Sequence, residues 1–391
     1  MKVKGISREL IDTMVSRGNQ LGQGRQVGTI GFINDNGVID CYNQIIDGGV
    51  SGLPHRHMLQ EISHRDNASL IEMINSLPDN AAYIRTDPGQ TGIIVSTSAI
   101  NIFNLPVVNI GVKHGEVAGI GILYPEEKHF RLATKSENAQ LDSLAAKNME
   151  AEKKALEKVT KLRLEFLNIS EELPIIDDEN VTQNCQRAKK PWVIERQEPI
   201  SVEESFAEEL VQKSLEVEPG REVAAFGRID KNGHITRCSD IVVGGMGYIP
   251  SRLLASSYED ITGLSLREFY SEKMPLNTAI VHTHPGGSGV MHMSDAMAGP
   301  GMWGRPIVAV GHDEKGDIKG VMTIKMQDKL FELADENEFL EQQFFKVQKP
   351  EEEVKLRKRR YKIAQEFTDL CDQLELKTTE SKAERKIAAS N

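Results

Sequence analysis

Two histidines and a carboxylate carry the chemistry that this sequence suggests most directly. His282 and His284 are two positions apart near the end of a strand-like run, so their side chains point to the same side. Asp295 follows in the next segment and can complete a metal centre with three protein ligands and one open position. Neutral imidazoles and one carboxylate suit Zn²⁺, and an open position suits a metal that activates water.

A second carboxylate lies upstream in an apolar run. Glu222 opens the sequence Glu-Val-Ala-Ala-Phe-Gly, where a carboxylate without a partner would be costly. We therefore predict that Glu222 is a general base, which accepts a proton from water and passes it to a leaving amine. The alternatives are that Glu222 is structural and that the histidines are merely packed.

The set Glu222, His282-Thr283-His284-Pro285 and Asp295 resembles the motif of the JAMM (MPN-domain) zinc metalloproteases over residues 201–330. The resemblance implies an MPN-type α/β fold, a Zn²⁺ cofactor, and removal of ubiquitin or ubiquitin-like modifiers by isopeptide hydrolysis. The family has a serine three residues before the aspartate, where it helps to stabilise the oxyanion. His292 occupies that position in this chain.

The role of His292 stays open at this stage. It could donate a hydrogen bond to an oxyanion, act as a pH-tuned acid, bind the metal as an extra ligand, or be an ordinary loop histidine. Ser294 is out of register with the family serine, and we predict that it caps a short helix beginning at Asp295.

The chain contains an internal duplication. Residues 25–40 align without gaps to 221–236, and further blocks align 45–54 to 241–250, 78–99 to 275–296 and 106–111 to 306–311. The aligned blocks share an Asn-Gly pair, a Gly-Gly pair and a Pro-Gly pair, which are residues that set backbone conformation. The block order is preserved.

Every candidate site residue is replaced in the first copy. Glu222 aligns with Gln26, His282 with Arg85, His284 with Asp87 and Asp295 with Ser98. Arg85 and Asp87 could form an ion pair where the metal would lie, or could reflect drift on a surface loop. The resemblance implies a degenerate MPN domain beside a metal-competent one, similar to the inactive and active pair of the proteasome lid.

Composition excludes several other classes of protein. The net charge of −11 and the lack of a basic patch with interleaved aromatics argue against a nucleic-acid groove. The N-terminus lacks a signal-peptide pattern, and no apolar run approaches the roughly 18–20 residues that span a bilayer. Cys41, Cys185, Cys238 and Cys371 follow no metal-binding spacing, so we expect a reducing compartment and a cytoplasmic protein.

The sequence predicts an α/β protein with two tandem MPN-type mixed-sheet domains. Helices are predicted at 6–17, from Pro54 to Leu77 and over 136–167, and a capping box at Ser201–Glu204 is predicted to open a further helix. Strand signals occur at 27–46, 82–84, 93–95 and 107–123, and hairpin turns are predicted at Asn34–Gly37 and Lys231–Gly233. Residues 296–304 are predicted to be a loop. The predicted divisions are a degenerate domain at 1–130, a helical linker at 131–200, a metalloprotease domain at 201–330 and a helical, partly disordered tail at 331–391.

Three functions follow from these patterns. The first is a zinc-dependent isopeptidase or peptidase acting on a ubiquitin-like protein or its conjugates, with the two MPN domains pairing within one chain or between copies. The second is a metal-binding or inactive scaffold in a larger complex. The third is a zinc hydrolase or deaminase of small molecules, against which the missing paired cysteine ligands argue.

Overall fold

A computed structural model describes residues 2–50, 52–63, 65–94, 98–144, 146, 148–177, 182–183 and 191–378. The chain divides into two compact mixed α/β units, as predicted for the fold class. The first unit comprises Met1–Val193, Thr262–Glu268 and Asp335–Arg360, and the second comprises Ile194–Ile261, Phe269–Ala334 and Tyr361–Asn391. Among the described residues, no helix has both the length and the apolarity needed to cross a membrane.

The first half of the chain alternates short strands with helices. Its elements are β1 (Gly5–Ser7), α1 (Arg8–Leu21), β2 (Val27–Ile33), β3 (Val38–Tyr42), β4 (Ile46–Asp47), α2 (His55–Ser63), α3 (Leu70–Asn75), β5 (Ala81–Pro88), α4 (Ser98–Phe103), β6 (Val107–Lys113), β7 (Glu116–Leu123), α5 (Glu127–Leu144), α6 (Met149–Leu167), β8 (Glu171–Glu172), β9 (Ile175–Ile176) and β10 (Thr182–Gln183).

The second half follows nearly the same order. Its elements are β11 (Ser201–Glu203), α7 (Glu204–Leu215), β12 (Arg221–Ile229), β13 (His234–Arg237), β14 (Val242–Met246), α8 (Ser251–Ser256), α9 (Leu266–Glu268), a π-helical turn (Phe269–Lys273), β15 (Thr278–Pro285), α10 (Met293–Ala296), a second π-helical turn (Met297–Gly301), β16 (Ile307–His312), β17 (Ile318–Ile324), α11 (Asp328–Phe344), α12 (Pro350–Thr368), β18 (Cys371–Gln373) and β19 (Glu375–Lys377).

The two curled sheets have the same strand order. The first runs β8-β7-β6-β5-β2-β3-β1-β9 and the second runs β18-β17-β16-β15-β12-β13-β11-β19. In both sheets the central pair, β2–β5 or β12–β15, is antiparallel, and the next pair, β5–β6 or β15–β16, is parallel. The duplication seen in the sequence is therefore also a duplication of topology.

The predicted hairpin turns are present in both copies. Asn34 Oδ1 accepts hydrogen bonds from the backbone N–H groups of Asn36 and Val38 at 2.9 and 3.0 Å. Asp230 Oδ1 does the same for the N–H groups of Asn232 and His234 at 2.8 and 2.9 Å. A short side chain that can satisfy two turn amides, followed by a glycine with positive φ, is the reason that these segments turn.

The core of each unit lies between the sheet and its first helix. Leu10 and Met14 of α1 are fully buried against the first sheet, and Phe206 and Leu210 of α7 are buried against the second. The i, i+4 spacing of each pair places both side chains on the helix face that meets the sheet.

One short segment in each unit pairs with both outer strands of the sheet. β8 pairs with β7 and β9 with β1, while β18 pairs with β17 and β19 with β11. Leu173, between β8 and β9, and Leu374, between β18 and β19, are buried in the respective cores. We call 171–176 and 371–377 the closing segments. Each follows a pair of long helices, α5–α6 or α11–α12, so the duplicated unit extends beyond the aligned sequence blocks.

Several local predictions were wrong. Ser201 lies in strand β11, because it pairs with His234, so the Ser201–Glu204 capping box is absent. Residues 93–94 are not a strand, and 296–301 is helical rather than a loop. The helix predicted at 6–17 begins at Arg8 and continues to Leu21. The closing segments, placed in the predicted linker and tail, are strands.

The cysteines do not all behave as predicted. Cys238 and Cys371 are free thiols, but Cys41 is disulfide-bonded. The expectation of reduced thiols is therefore wrong for Cys41. Cys185 lies outside the described residues.

Candidate metal centre

The pairing of β12 with β15 places the candidate base and the two histidines on one face of the second sheet. Ala224 is paired with His282 in an antiparallel register. Because side chains alternate along a strand, Glu222 shares a face with Ala224, and His284 shares that face with His282. The residues between them, Val223 and Thr283, point into the buried opposite face.

Asp295 reaches the same face from α10. The preceding loop lies tightly against β16 and β17, and Gly289 adopts a φ of +81° there. A Cβ at Gly289 would lie 2.8 Å from the carbonyl oxygen of Ala309 and 3.0 Å from that of Gly320. Glycine is therefore required at this position both for the backbone conformation and for the close approach that directs the chain back to the histidines.

The three predicted ligands converge. Nε2 of His282 and Nε2 of His284 lie 2.9 Å apart. Nε2 of His282 lies 3.6 Å from Oδ1 of Asp295, and Nε2 of His284 lies 3.8 Å from Oδ2. Zinc–ligand bonds of about 2.0–2.2 Å at tetrahedral angles place ligand atoms roughly 3.3–3.6 Å apart. The observed separations match a site of this size within a few tenths of an ångström.

Hydrogen bonds on the far side of the rings fix their orientation. Nδ1 of His282 lies 3.0 Å from the carbonyl oxygen of Val308, to which it donates, and Nε2 faces His284 and Asp295. The ring of His284 donates a hydrogen bond to the backbone carbonyl of Val290. Two bare imidazole nitrogens at this distance repel each other unless a proton or a metal ion lies between them, and metal-ligating histidines commonly show such backbone partners.

The electrostatics of the cluster favour a cation. Burial alone would raise the pKa of Asp295, but hydrogen bonds from His282 and His284 hold it well below its usual range. Burial alone would lower the pKa of His284, but its hydrogen bond and attraction to Asp295 raise it. Burial raises the pKa of Glu222, although the two histidines oppose that shift. Asp295 is further oriented by the backbone N–H of His292, which donates to Oδ2 at 2.8 Å.

A cavity of about 260 Å³ adjoins Glu222, His282 and Asp295. Its wall includes Tyr270 and Trp303, whose rings stack with centroids 4.3 Å apart and planes inclined by 9°. The remaining lining residues are mainly apolar, with a few hydroxyl groups: Gly247, Tyr248, Ile249, Ser251, Leu254, Ile280, Ser294, Ala298 and Ile307. Apart from Ser294, the sequence does not mark these residues, because they come from segments that are far apart in the chain.

His292 and Ser294 take different places from those considered in the sequence. His292 is exposed, precedes α10 and is not one of the residues that could jointly hold a metal ion; it acts on Asp295 through its backbone. Ser294 lies inside α10, which begins at Met293, so the prediction that it caps a helix starting at Asp295 is wrong. Its side chain lines the cavity beside Asp295.

The first unit holds a different arrangement at the equivalent positions. Arg85 Nε donates to Oδ1 of buried Asn109 at 3.2 Å, and Asn109 Nδ2 donates to Oδ2 of Asp87 at 3.3 Å. The two charged residues are thus joined through Asn109. A guanidinium occupies the position of His282, so this hydrogen-bonded network stands where the second unit has its candidate metal ligands.

Within the described residues, the group His282, His284 and Asp295 offers three donor atoms within 4.8 Å of one another. The sequence prediction of these three ligands is thus matched by geometry that could hold a metal ion. Comparison with family models, with curated proteins and with solved structures gave no match.

Proposed function

We propose that this chain is a zinc-dependent hydrolase of amide bonds of the JAMM type, acting on an isopeptide or peptide bond at the tail of a ubiquitin-like protein. The observation that carries the proposal is the convergence of Glu222 with His282, His284 and Asp295, three of which (Glu222, His282 and Asp295) line one cavity. A purely structural metal site would have no use for a fourth, acidic group beside an open pocket.

Each residue has a distinct role in the proposed reaction. His282, His284 and Asp295 would hold the ion, and bound zinc supplies a Lewis acid that lowers the pKa of water. Glu222 takes a proton from the attacking water and delivers it to the leaving amine. Burial raises the pKa of the Glu222 carboxyl, which brings it closer to the value that serves both proton transfers.

The cavity would bind the substrate chain next to the scissile bond. Its stacked aromatic wall and few hydroxyl groups suit an extended peptide with apolar contacts and a small number of oriented hydrogen bonds. Ser294 supplies the hydroxyl nearest in sequence to Asp295, and we propose it in place of His292 as the donor to the developing oxyanion.

The test combines metal content with hydrolysis of a panel of ubiquitin-like fusions. We expect about one zinc ion per wild-type chain and a loss of zinc in His282→Ala and Asp295→Ala. Glu222→Gln should keep the zinc but lose roughly 100-fold or more in rate. His234→Ala, which removes a histidine from β13, is the matched control and should change neither quantity. A zinc-free wild type, or Glu222→Gln with unchanged rate, would contradict the proposal.

A second candidate function is a metal-bearing scaffold without hydrolysis. The first unit favours it, since Arg85, Asn109 and Asp87 show that this fold is kept when the ligands are replaced. Under this alternative, zinc binds as above and its removal lowers stability, but none of the fusions is cleaved with or without zinc.

A further inference from the structure

We propose that Arg25 and the loop Gly22–Gly24 form a binding site for a small carboxylate anion in the first unit. Both copies have an arginine at this position, but its surroundings differ between them. Arg25 aligns with Arg221, and each donates from Nε to a carbonyl oxygen at 2.9 Å, Arg25 to Gly48 and Arg221 to Gly244. The two guanidinium groups are therefore held in the same way.

The partners of the terminal guanidinium nitrogens differ between Arg25 and Arg221. In the second unit Nη1 of Arg221 donates to Oε2 of Glu218 at 2.9 Å. The residue aligned with Glu218 in the first unit is Gly22. The first copy has thus kept the arginine and lost the carboxylate that neutralises it.

Arg25 is more deeply buried than its counterpart. It is 3% exposed, and within the described part of the chain its Nη2 atom is buried with no hydrogen-bond partner. Its guanidinium lies over the ring of Phe345, 5.1 Å from the centroid, which covers one face without satisfying the N–H groups. A buried cationic donor without an acceptor is costly, so an acceptor from outside the chain would stabilise it.

Space for an anion is present beside Arg25. A cavity of about 220 Å³ is lined by Arg25, by Gly22, Gln23 and Gly24, and by Asn19, Thr86 and His114 among others. A Cβ placed on Gly22 or on Gly24 would meet no atom within 4 Å, so the region where the Glu218 side chain begins in the second copy is open here. Asn19 and His114 offer further polar groups at the wall.

The surrounding charges favour an anion. Asp47 is the carboxylate that acts on Arg25, but it already pairs with Arg17 at 2.6 Å and lies 3.6 Å from Lys346. Three cations therefore share one carboxylate in this part of the first unit. A carboxylate is the ligand of choice, because it reproduces the group that Glu218 provides to the equivalent arginine and pairs well with a planar guanidinium.

The test uses propionate, which has the carboxyl end of a glutamate side chain, and inorganic phosphate as the alternative oxyanion. Both are added to the full chain at constant ionic strength with chloride as the reference salt. We expect propionate to raise the melting temperature saturably, with a dissociation constant of roughly millimolar order. It should also slow hydrogen exchange of the backbone at 20–26.

Variants assign the effect to Arg25. Arg25→Gln should weaken propionate binding at least roughly tenfold, as expected for the loss of a charge-assisted pair. Arg221→Gln, the matched change in the second copy, should leave propionate binding unchanged. No saturable response to propionate, a response to phosphate alone, or an equal response in Arg25→Gln would each overturn the proposal. The exchange measurement on the wild type remains decisive if Arg25→Gln does not fold.

Discussion

The hydroxyl of Thr283 accepts a hydrogen bond from the backbone N–H of Val223 at 3.1 Å. This bond joins β12 to β15 between the strand positions that carry Glu222 and the two histidines. The first copy has the same bond, from the N–H of Val27 to Oγ1 of Thr86 at 2.9 Å. The link between the strands is thus kept in both copies, whereas the candidate metal ligands are present in one.

We predict that Thr283→Val loosens the strand that carries Glu222 but leaves metal binding intact. Valine has nearly the same shape but leaves the buried N–H of Val223 without an acceptor, which costs about 1–3 kcal/mol. Hydrogen exchange at Val223 should accelerate while zinc content stays near that of the wild type. Thr86→Val is the matched control, which should affect exchange at Val27 alone. Unchanged protection at Val223 would show that the hydroxyl does not hold the strand.

The closing segments provide a second prediction. Leu374→Ala should lower the free energy of unfolding by about 2–5 kcal/mol, because it opens a cavity in the core of the second unit. Hydrogen exchange should rise in β17 and leave β7 unchanged. For Leu173→Ala, hydrogen exchange should rise in β7 and stay unchanged in β17, since the side chain of Leu173 lies in the core of the first unit.

Leu376→Ala serves as the control for this pair of variants. Leu376 belongs to the same closing segment but is 38% exposed, so its loss should have a much smaller effect. If Leu374→Ala were as mild as Leu376→Ala, the closing segment would contribute little to the stability of the second unit.

The parts of the fold that the sequence predicted are those with a local signal. The Asn34–Gly37 turn, the apolar run of β12 and the face of α1 each follow from residues close together in the chain. The closing segments were missed because strands of two or three residues leave no periodicity, and their pairing depends on edges formed far away. Ser201 was misassigned because a capping-box pattern is short and the pairing of β11 with β13 overrides it.

The candidate site likewise has residues that the sequence predicts and residues that it does not. His282, His284 and Asp295 could be predicted because their spacing and the duplication mark them. The cavity wall of Tyr270 and Trp303 could not, since the two residues are far apart in the chain and the π-helical turn that carries Tyr270 has no sequence pattern of its own. The sequence motif points to the side chain of His292, whereas the group that contacts Asp295 is its backbone N–H.

A third prediction concerns pH and Glu338 of α11. Its carboxylate accepts hydrogen bonds from the N–H groups of Arg56 and His57, at 3.2 and 2.7 Å, at the start of α2. Burial raises the pKa of Glu338 to about 7, although these bonds and the charge of Arg56 oppose the shift. The folded state therefore binds more protons than the unfolded state between the ordinary glutamate pKa and about 7.

Stability should accordingly fall as pH rises through this range and then level off. The contribution of Glu338 is at most about 3 kcal/mol. Urea unfolding at pH 5 and pH 8 should show a smaller pH-dependent loss in Glu338→Gln than in the wild type. Glu341→Gln, three residues along the same helix and half exposed, should retain the wild-type dependence. An identical pH dependence in Glu338→Gln would remove this residue as its source.

A fourth prediction concerns removal of the metal. Zinc that binds only the folded protein stabilises it by an amount set by its concentration relative to the dissociation constant, about 4 kcal/mol at a thousandfold excess. A chelator should therefore lower the melting temperature of the wild type, and added zinc should restore it. His282→Ala should already melt at the lower temperature and respond to neither treatment. Asn109→Ala disrupts the Arg85–Asp87 network of the first unit, so it should lower stability while keeping the full response to the chelator. A response to the chelator that survived in His282→Ala would place the zinc elsewhere in the chain.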